Sequence, residues 1–234
     1  MITDATSSMD TTEPSTANWE TYLVTQESVS EGRSTLEIVR EAIAGGIDVV
    51  QLREKGTDAQ WRYDLGLELR ELTAEAGVDL IVNDRVDIAD AVDADGVHVG
   101  QSDLPVAVAR DLLGPEAIVG CSAATIEQAC EAEAAGADYL GVGTIYGTTS
   151  KDVAEYKDGV GPERVAEITD AVSIPVVGIG GITAENAGPV VEAGAVGVSV
   201  ISEITAAPEP RAATESLATA VETAKSVGDG DTTG

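Results

Sequence analysis

The sequence predicts a single (β/α)8 TIM barrel, and three observations carry that reading. Eight short Val/Ile-rich runs alternate with eight longer amphipathic segments. The unusual polar clusters follow the runs and do not precede them, as in a barrel whose chemistry sits at the C-terminal ends of its strands. An Ala-Gly phrase recurs before the runs, at Ala44–Asp48, Glu75–Asp79, Ala135–Asp138 and Ala193–Ala195. Each copy reads as a helix-capping glycine leading into a strand. The fold alternative is an open doubly wound sheet.

The elements follow in order. Residues 1–18 form a Thr-, Ser-, Asp- and Glu-rich lead that reads as disordered, and the barrel is expected over 19–225. Strand Tyr22–Val24 precedes helix Ser34–Ala44, and strand Val49–Leu52 precedes helix Asp58–Ala76. Leu80–Asn83 leads to Arg85–Ala91, Gly96–Val99 to Leu104–Leu113, and Ile118–Ser122 to Thr125–Ala135. After Tyr139–Val142 comes a long irregular stretch from Gly143 to Val160, then helix Pro162–Ala171. Pro175–Gly178 leads to Ala184–Ala193, and Val196–Val200 to Pro208–Lys225. Residues 226–234, rich in Gly, Asp and Thr, read as a flexible tail.

Composition narrows the function. The chain has 234 residues, 43% of them hydrophobic, which suffices for one large core. Aromatics are 3% and Phe is absent, so that core is expected to be Val, Ile, Leu and Ala. The lead has neither a basic nor an apolar region, so it does not read as a signal peptide. No apolar run approaches the roughly 18 to 20 residues that span a bilayer. Cys121 and Cys130 have no metal-ligand spacing and read as reduced thiols of a cytoplasmic protein. The net charge of −29 argues against nucleic acid and anionic membranes as partners. With only four lysines, it suggests a halophilic protein in molar salt, where screening shortens to about 3 Å.

The most informative phrase is Gln51-Leu52-Arg53-Glu54-Lys55, at the end of the second run. In an extended chain Gln51, Arg53 and Lys55 share one face. An amide, a guanidinium and an ammonium in a row suit a substrate carrying a diphosphate. The plainer reading is an edge strand with solvated charges. Asp84 and Asp103 follow neighbouring strands, so their carboxylates are placed to meet and to bind Mg²⁺; alternatively each caps the helix that follows. Gly178–Gly181 after the seventh run and Ile201-Ser202 after the eighth suit a phosphate cradle, or simply a tight turn needing positive φ. The hydroxyls and lysine of the 143–160 stretch suit anion capture by a closing loop, or an ordinary polar surface loop. His98, within a strand, reads as a satisfied structural group; Cys121, Trp19 and Trp61 read as packing residues.

Taken together, these phrases resemble the thiamine-phosphate synthase family. The resemblance runs from Tyr22 to Thr205 through Gln51–Lys55, Val82–Ala89, Ala94–Asp103 and Val177–Ile182. It implies a (β/α)8 barrel that joins hydroxymethylpyrimidine diphosphate to a thiazole phosphate, giving thiamine phosphate and diphosphate with Mg²⁺. It implies that Gln51, Arg53, Lys55 and Asn83, with Lys151, hold the pyrimidine diphosphate, and that Asp84 and Asp103 bind Mg²⁺. Ser122 is implied on the pyrimidine side, and Thr148, Thr149, Ser150, Gly181, Ile201 and Ser202 on the thiazole phosphate. Arg53, Lys55, Ser122 and Lys151 are the residues expected to bear on catalysis.

One stretch departs from the family pattern. Where the family reads Ile-Phe-Pro-Thr-x-Thr-Lys, Thr144 and Gly147 replace prolines, Tyr146 replaces Phe and Ser150 replaces Thr, which implies a more mobile loop. Three rival functions are a thiazole tautomerase, a non-catalytic thiamine-phosphate binder, and another phosphate-binding barrel enzyme. The first uses a loop histidine, absent here; the second has less need of two carboxylates; the third lacks the Gln-x-Arg-x-Lys array. The sequence leaves a homo-oligomer open.

Overall fold

A computed structural model describes residues 15–147 and 159–230. Eight parallel strands close into a barrel in the order β1 to β8, with β1 paired to β8, which excludes the open sheet. They are β1 (Thr21–Val24), β2 (Val49–Leu52), β3 (Asp79–Asn83), β4 (Gly96–Val99), β5 (Ile118–Ala123), β6 (Tyr139–Val142), β7 (Val176–Ile179) and β8 (Gly197–Val200). Around them run α1 (Thr35–Ala44), α2 (Ala59–Ala76), α3 (Val86–Ala91), α4 (Val106–Leu113), α5 (Ile126–Ala134), α6 (Glu163–Thr169), α7 (Gly188–Glu192), α8 (Ser202–Thr205) and α9 (Pro210–Gly230).

Local sequence sets the helix ends. Ser34 and Glu37 form a reciprocal capping box on α1, Asp58 caps α2 through the Trp61 N–H, and Thr125 caps α5. Gly77 ends α2 at φ 70°, a left-handed conformation that a side chain would disfavour. Several elements differ from the sequence expectation, among them α7, which spans only Gly188–Glu192 of the expected Ala184–Ala193. The four-residue α8 was not predicted; it is too short for a hydrophobic period to show. α9 continues past Lys225 to Gly230, so the expected tail is in part helix. Residues 15–18 form a 3₁₀ turn with Thr16 fully buried, so the expected lead is shorter than 18 residues.

The core has two parts. Aliphatic side chains fill the space between strands and helices. Inside the barrel, Trp19, Tyr22 and Tyr139 pack with Val24, Val49, Ile81, Val177 and Ile201. The purely aliphatic core expected from composition therefore fails in the lumen, where few positions must fill a wide space. Trp19 stands edge-on to both tyrosines, at 5.6 and 4.9 Å between ring centroids. Trp61 is 36% exposed and does not belong to the core.

The recurrent aspartates hold the barrel floor. Asp48 accepts the Thr21 N–H at 2.9 Å, Asp95 the Leu80 N–H at 2.7 Å, and Asp138 the Val119 N–H at 2.6 Å. Each ties the residue just before one strand to an N–H in the first two residues of its neighbour. These carboxylates are structural, which leaves the opposite end for chemistry.

Candidate active site

β2 ends at Leu52, paired to Val82, and the alternation expected through Lys55 ends with it. Gln51 is still in the strand and points into the lumen, where its Nε2 donates to Tyr22 Oη at 2.7 Å. Arg53 lies beyond the strand. Its backbone N–H donates to Thr25 Oγ1 at 3.0 Å and its Nη1 to Gln26 Oε1 at 3.3 Å. Lys55 is exposed in a turn before Gly56, whose φ is 87°. The expected single row is thus corrected. Arg53, Lys55, Asn83 and Asp84 share a cleft of about 300 Å³ with Glu54 and Arg62, and Gln51 does not line it.

Arg53 is 7% exposed, so its guanidinium is already stripped of most water. That burial pulls its pKa down, opposed by the nearby charges of Asp84 and Glu54. Glu54 is committed elsewhere: it accepts the Glu27 N–H at 2.9 Å and the Thr35 hydroxyl at 2.9 Å.

Asp84 and Asp103 meet. Asp84 adopts φ 63°, a left-handed conformation uncommon for a residue with a side chain, while its N–H donates to His98 O at 2.9 Å. Its carboxyl comes close enough to that of Asp103 for the two to interact. Burial raises the Asp84 pKa first, and the pairing with Asp103 raises it further; Lys55 and the Asn83 amide oppose the shift. Neither aspartate caps a helix. Arg85 occupies the capping position of α3 and Pro105 that of α4, and Asp103 instead accepts the Gly100 N–H at 2.7 Å.

Gly181, Ile201 and Ser202 line a second cleft at the ends of β7 and β8. Gly180 and Gly181 have φ of 108° and 64°, and a Cβ on Gly180 would lie 2.8 Å from Thr144 Cα. The immediate need for glycine is the chain segment after β6, packed against this turn. That segment is anchored at both described ends: Ile145 N–H donates to Ile179 O, and Gly161 N–H to Ile145 O. Thr148, Thr149, Ser150 and Lys151 lie outside the described residues. Ser199 also lines the second cleft, and its buried hydroxyl has no hydrogen-bond partner among the described residues. The sequence reading missed it; the available signal was one hydroxyl in the apolar strand phrase Val198-Ser199-Val200.

Ser122, on β5, is reached from within the barrel. Its Oγ lies 2.9 Å from His98 Nε2, and His98 Nδ1 lies 2.9 Å from Tyr139 Oη. Tyr139 Oη lies 2.9 Å from Tyr22 Oη, which holds Gln51. His98 is therefore satisfied at both ring nitrogens, as expected of a structural group, yet its partners connect two residues expected at the pyrimidine. Cys121 is buried, and burial raises its thiol pKa, which removes it as a nucleophile.

Comparison with known proteins decides the family: residues 21–204 match the family described as thiamine monophosphate synthase. The chain belongs to it. The thiamine-phosphate synthase of Haloarcula marismortui is 60% identical over 206 residues, covering 88% of this chain and 98% of that one. The synthase of Moorella thermoacetica is 53% identical over 199 residues, covering 85% and 94%. Among solved structures, the thiamine phosphate pyrophosphorylase of Pyrococcus furiosus superimposes with a TM-score of 0.81 at 39% identity, covering 89% of this chain and 98% of that one. Membership in the thiamine monophosphate synthase family makes this chain a transferase and accounts for the barrel and its polar rim. No helix among the described residues is long and apolar enough to cross a membrane.

Proposed function

We propose that the protein is a thiamine-phosphate synthase that joins hydroxymethylpyrimidine diphosphate to a thiazole phosphate, releasing diphosphate. The observation that carries this is the cleft shared by Arg53, Lys55, Asn83 and Asp84, with the Asp103 carboxyl against Asp84. Arg53 and Lys55 bind the diphosphate and neutralise it as the bond from the pyrimidine methylene carbon to oxygen breaks. Arg53 is largely buried before substrate arrives, so it is held in place and has little hydration left to displace. The electron pair leaves with diphosphate, and the methylene carbon becomes cationic, stabilised by the ring's amino group. The thiazole nitrogen then forms the new bond to that carbon. The second cleft, with Gly181, Ile201 and Ser202, orients the thiazole phosphate for this in-line attack, and Ser199 is available to it.

The residues present fit Mg²⁺. Two like charges pressed together, with the Asp84 pKa raised, form a donor set that a hard divalent cation relieves. Among the described residues no group of three or more His, Cys, Asp and Glu is placed for a metal, so Asp84 and Asp103 would share the ion with water and substrate oxygens. When bound, Mg²⁺ supplies further charge neutralisation on the diphosphate. The acidic surface and free thiols support a cytoplasmic enzyme of high-salt cytosol, working on small molecules.

The test is diphosphate release by purified protein in molar KCl with Mg²⁺. Thiamine phosphate forming only when both substrates are present is the expected result. Binding of the pyrimidine diphosphate without turnover would replace the synthase reading with that of a binding protein.

A further inference from the structure

Five side chains from five strands form one hydrogen-bonded chain through the lumen: Gln51 of β2, Tyr22 of β1, Tyr139 of β6, His98 of β4 and Ser122 of β5. Each link is 2.7 to 2.9 Å. Each phenol carries one proton and is fully buried, and among the described residues its hydroxyl has partners only within this chain, so each proton must be given to the next member. The Gln51 Nε2 group is only a donor. Tyr22 Oη therefore accepts from it, and the Tyr22 proton goes to Tyr139 Oη. The Tyr139 proton goes to His98 Nδ1, which must be bare. A neutral imidazole then carries its proton on Nε2 and donates to Ser122 Oγ. The Ser122 proton is left to point away from His98, and Gln51 is left presenting its carbonyl oxygen.

The surroundings hold this arrangement in place. Both phenols are fully buried, and burial raises the pKa of each, so both stay protonated. A Cβ on Gly120 would lie 2.2 Å from the Tyr139 ring, and one on Gly141 would lie 3.0 Å from His98 Cε1. Glycine at these two positions makes room for the two rings at the centre of the chain. Reversing the Tyr22–Tyr139 link would leave the buried Tyr22 proton without an acceptor among the described residues, and reversing the links beyond it would require the other His98 tautomer.

We propose that Tyr22, Tyr139 and His98 are positioning residues that fix the polarity of Gln51 and Ser122, so that the site accepts a hydrogen bond from an amino group and donates one to a ring nitrogen. This rests on the synthase reading and on the family resemblance, which implies Gln51 at the pyrimidine diphosphate and Ser122 on the pyrimidine side. An aminopyrimidine matches that polarity. The oxo analogue, with a carbonyl in place of the amino group and a protonated neighbouring ring nitrogen, opposes it: a carbonyl would face the Gln51 carbonyl. The chain thus selects the amino ring, whose nitrogen lone pair is what stabilises the methylene cation after diphosphate leaves.

Two measurements test it. His98 is the only histidine, so its ring nitrogens give an unambiguous ¹⁵N spectrum. The proposal requires a bare Nδ1 and a protonated Nε2 in the wild-type protein, and a mixture of tautomers in Tyr139→Phe. A protonated Nδ1 in the wild type overturns the stated polarity whatever the protein catalyses. The second measurement is calorimetric binding of hydroxymethylpyrimidine diphosphate and of its oxo analogue. The wild type should prefer the amino compound on the order of 10⁴-fold, as expected where a site built to hydrogen-bond is left unpaired. Tyr139→Phe should bring that preference below about 10-fold, and Tyr22→Phe, which breaks a different link, should do the same. An unchanged preference in folded variants overturns the positioning role. If the wild type binds neither compound, the synthase reading fails, and the specificity claim fails with it.

Discussion

The carboxyl of Asp84 meets that of Asp103 at the mouth of the barrel, where one strand end lies beside the next. Burial and this pairing raise the Asp84 pKa in the folded protein. A raised carboxyl pKa contributes stability below the ordinary value of about 3.9 and loses it as pH rises through the folded value. Asp84→Asn removes that titration. In metal-free buffer the stability of the variant relative to wild type should therefore increase between about pH 4 and about pH 7. Added Mg²⁺ should raise the wild-type Tm at the upper pH and leave that of the variant unmoved. Parallel Tm curves for the two proteins, with and without Mg²⁺, would remove the carboxylate pair as a metal site.

Arg53→Ala should cost on the order of 2–4 kcal/mol of transition-state stabilisation, through loss of a charge-assisted contact to the diphosphate. Arg53→Lys should recover only part of it, because an ammonium lacks the planar fork. Steady-state kcat/KM for both variants decides this; a rate within about threefold of wild type for Arg53→Ala contradicts the role.

The floor aspartates should behave in the opposite way. Asp138→Ala strands the buried Val119 N–H and breaks the ion pair with Arg110, so unfolding free energy should fall by about 1–3 kcal/mol. Activity per folded molecule should stay at the wild-type level. Denaturant titration and kcat measured on the same sample separate the two effects, and a large loss of kcat at full folding would falsify the division between floor and mouth.

A net charge of −29 on 234 residues opposes the compact state in dilute salt. Stability and activity should both rise with KCl toward molar concentration, where screening shortens to about 3 Å. A protein fully folded and fastest at about 50 mM salt would contradict this expectation.

The fold was legible because its signals are local. Strand and helix periods, capping residues and the glycines before each strand repeat along the chain, and every predicted strand appears with ends shifted by at most one residue. The short α8 was not legible, because four residues hold too little of a helical period. The placement of Asp84 and Asp103 at one rim was also legible, since adjacent parallel strands end side by side.

Other features depended on the closed barrel. Gln51 and Arg53 are two residues apart, yet one enters the lumen and the other the cleft, because β2 ends between them. Tyr22 and Tyr139 are distant in sequence but share a hydrogen bond inside the lumen. No local period encodes which side chains meet across a closed sheet; register and closure decide it. By itself the sequence determined the family, the barrel and the residues at its mouth. Only the tertiary structure joined His98 and the two tyrosines to Gln51 and Ser122, because barrel closure aims side chains of well-separated strands at one axis.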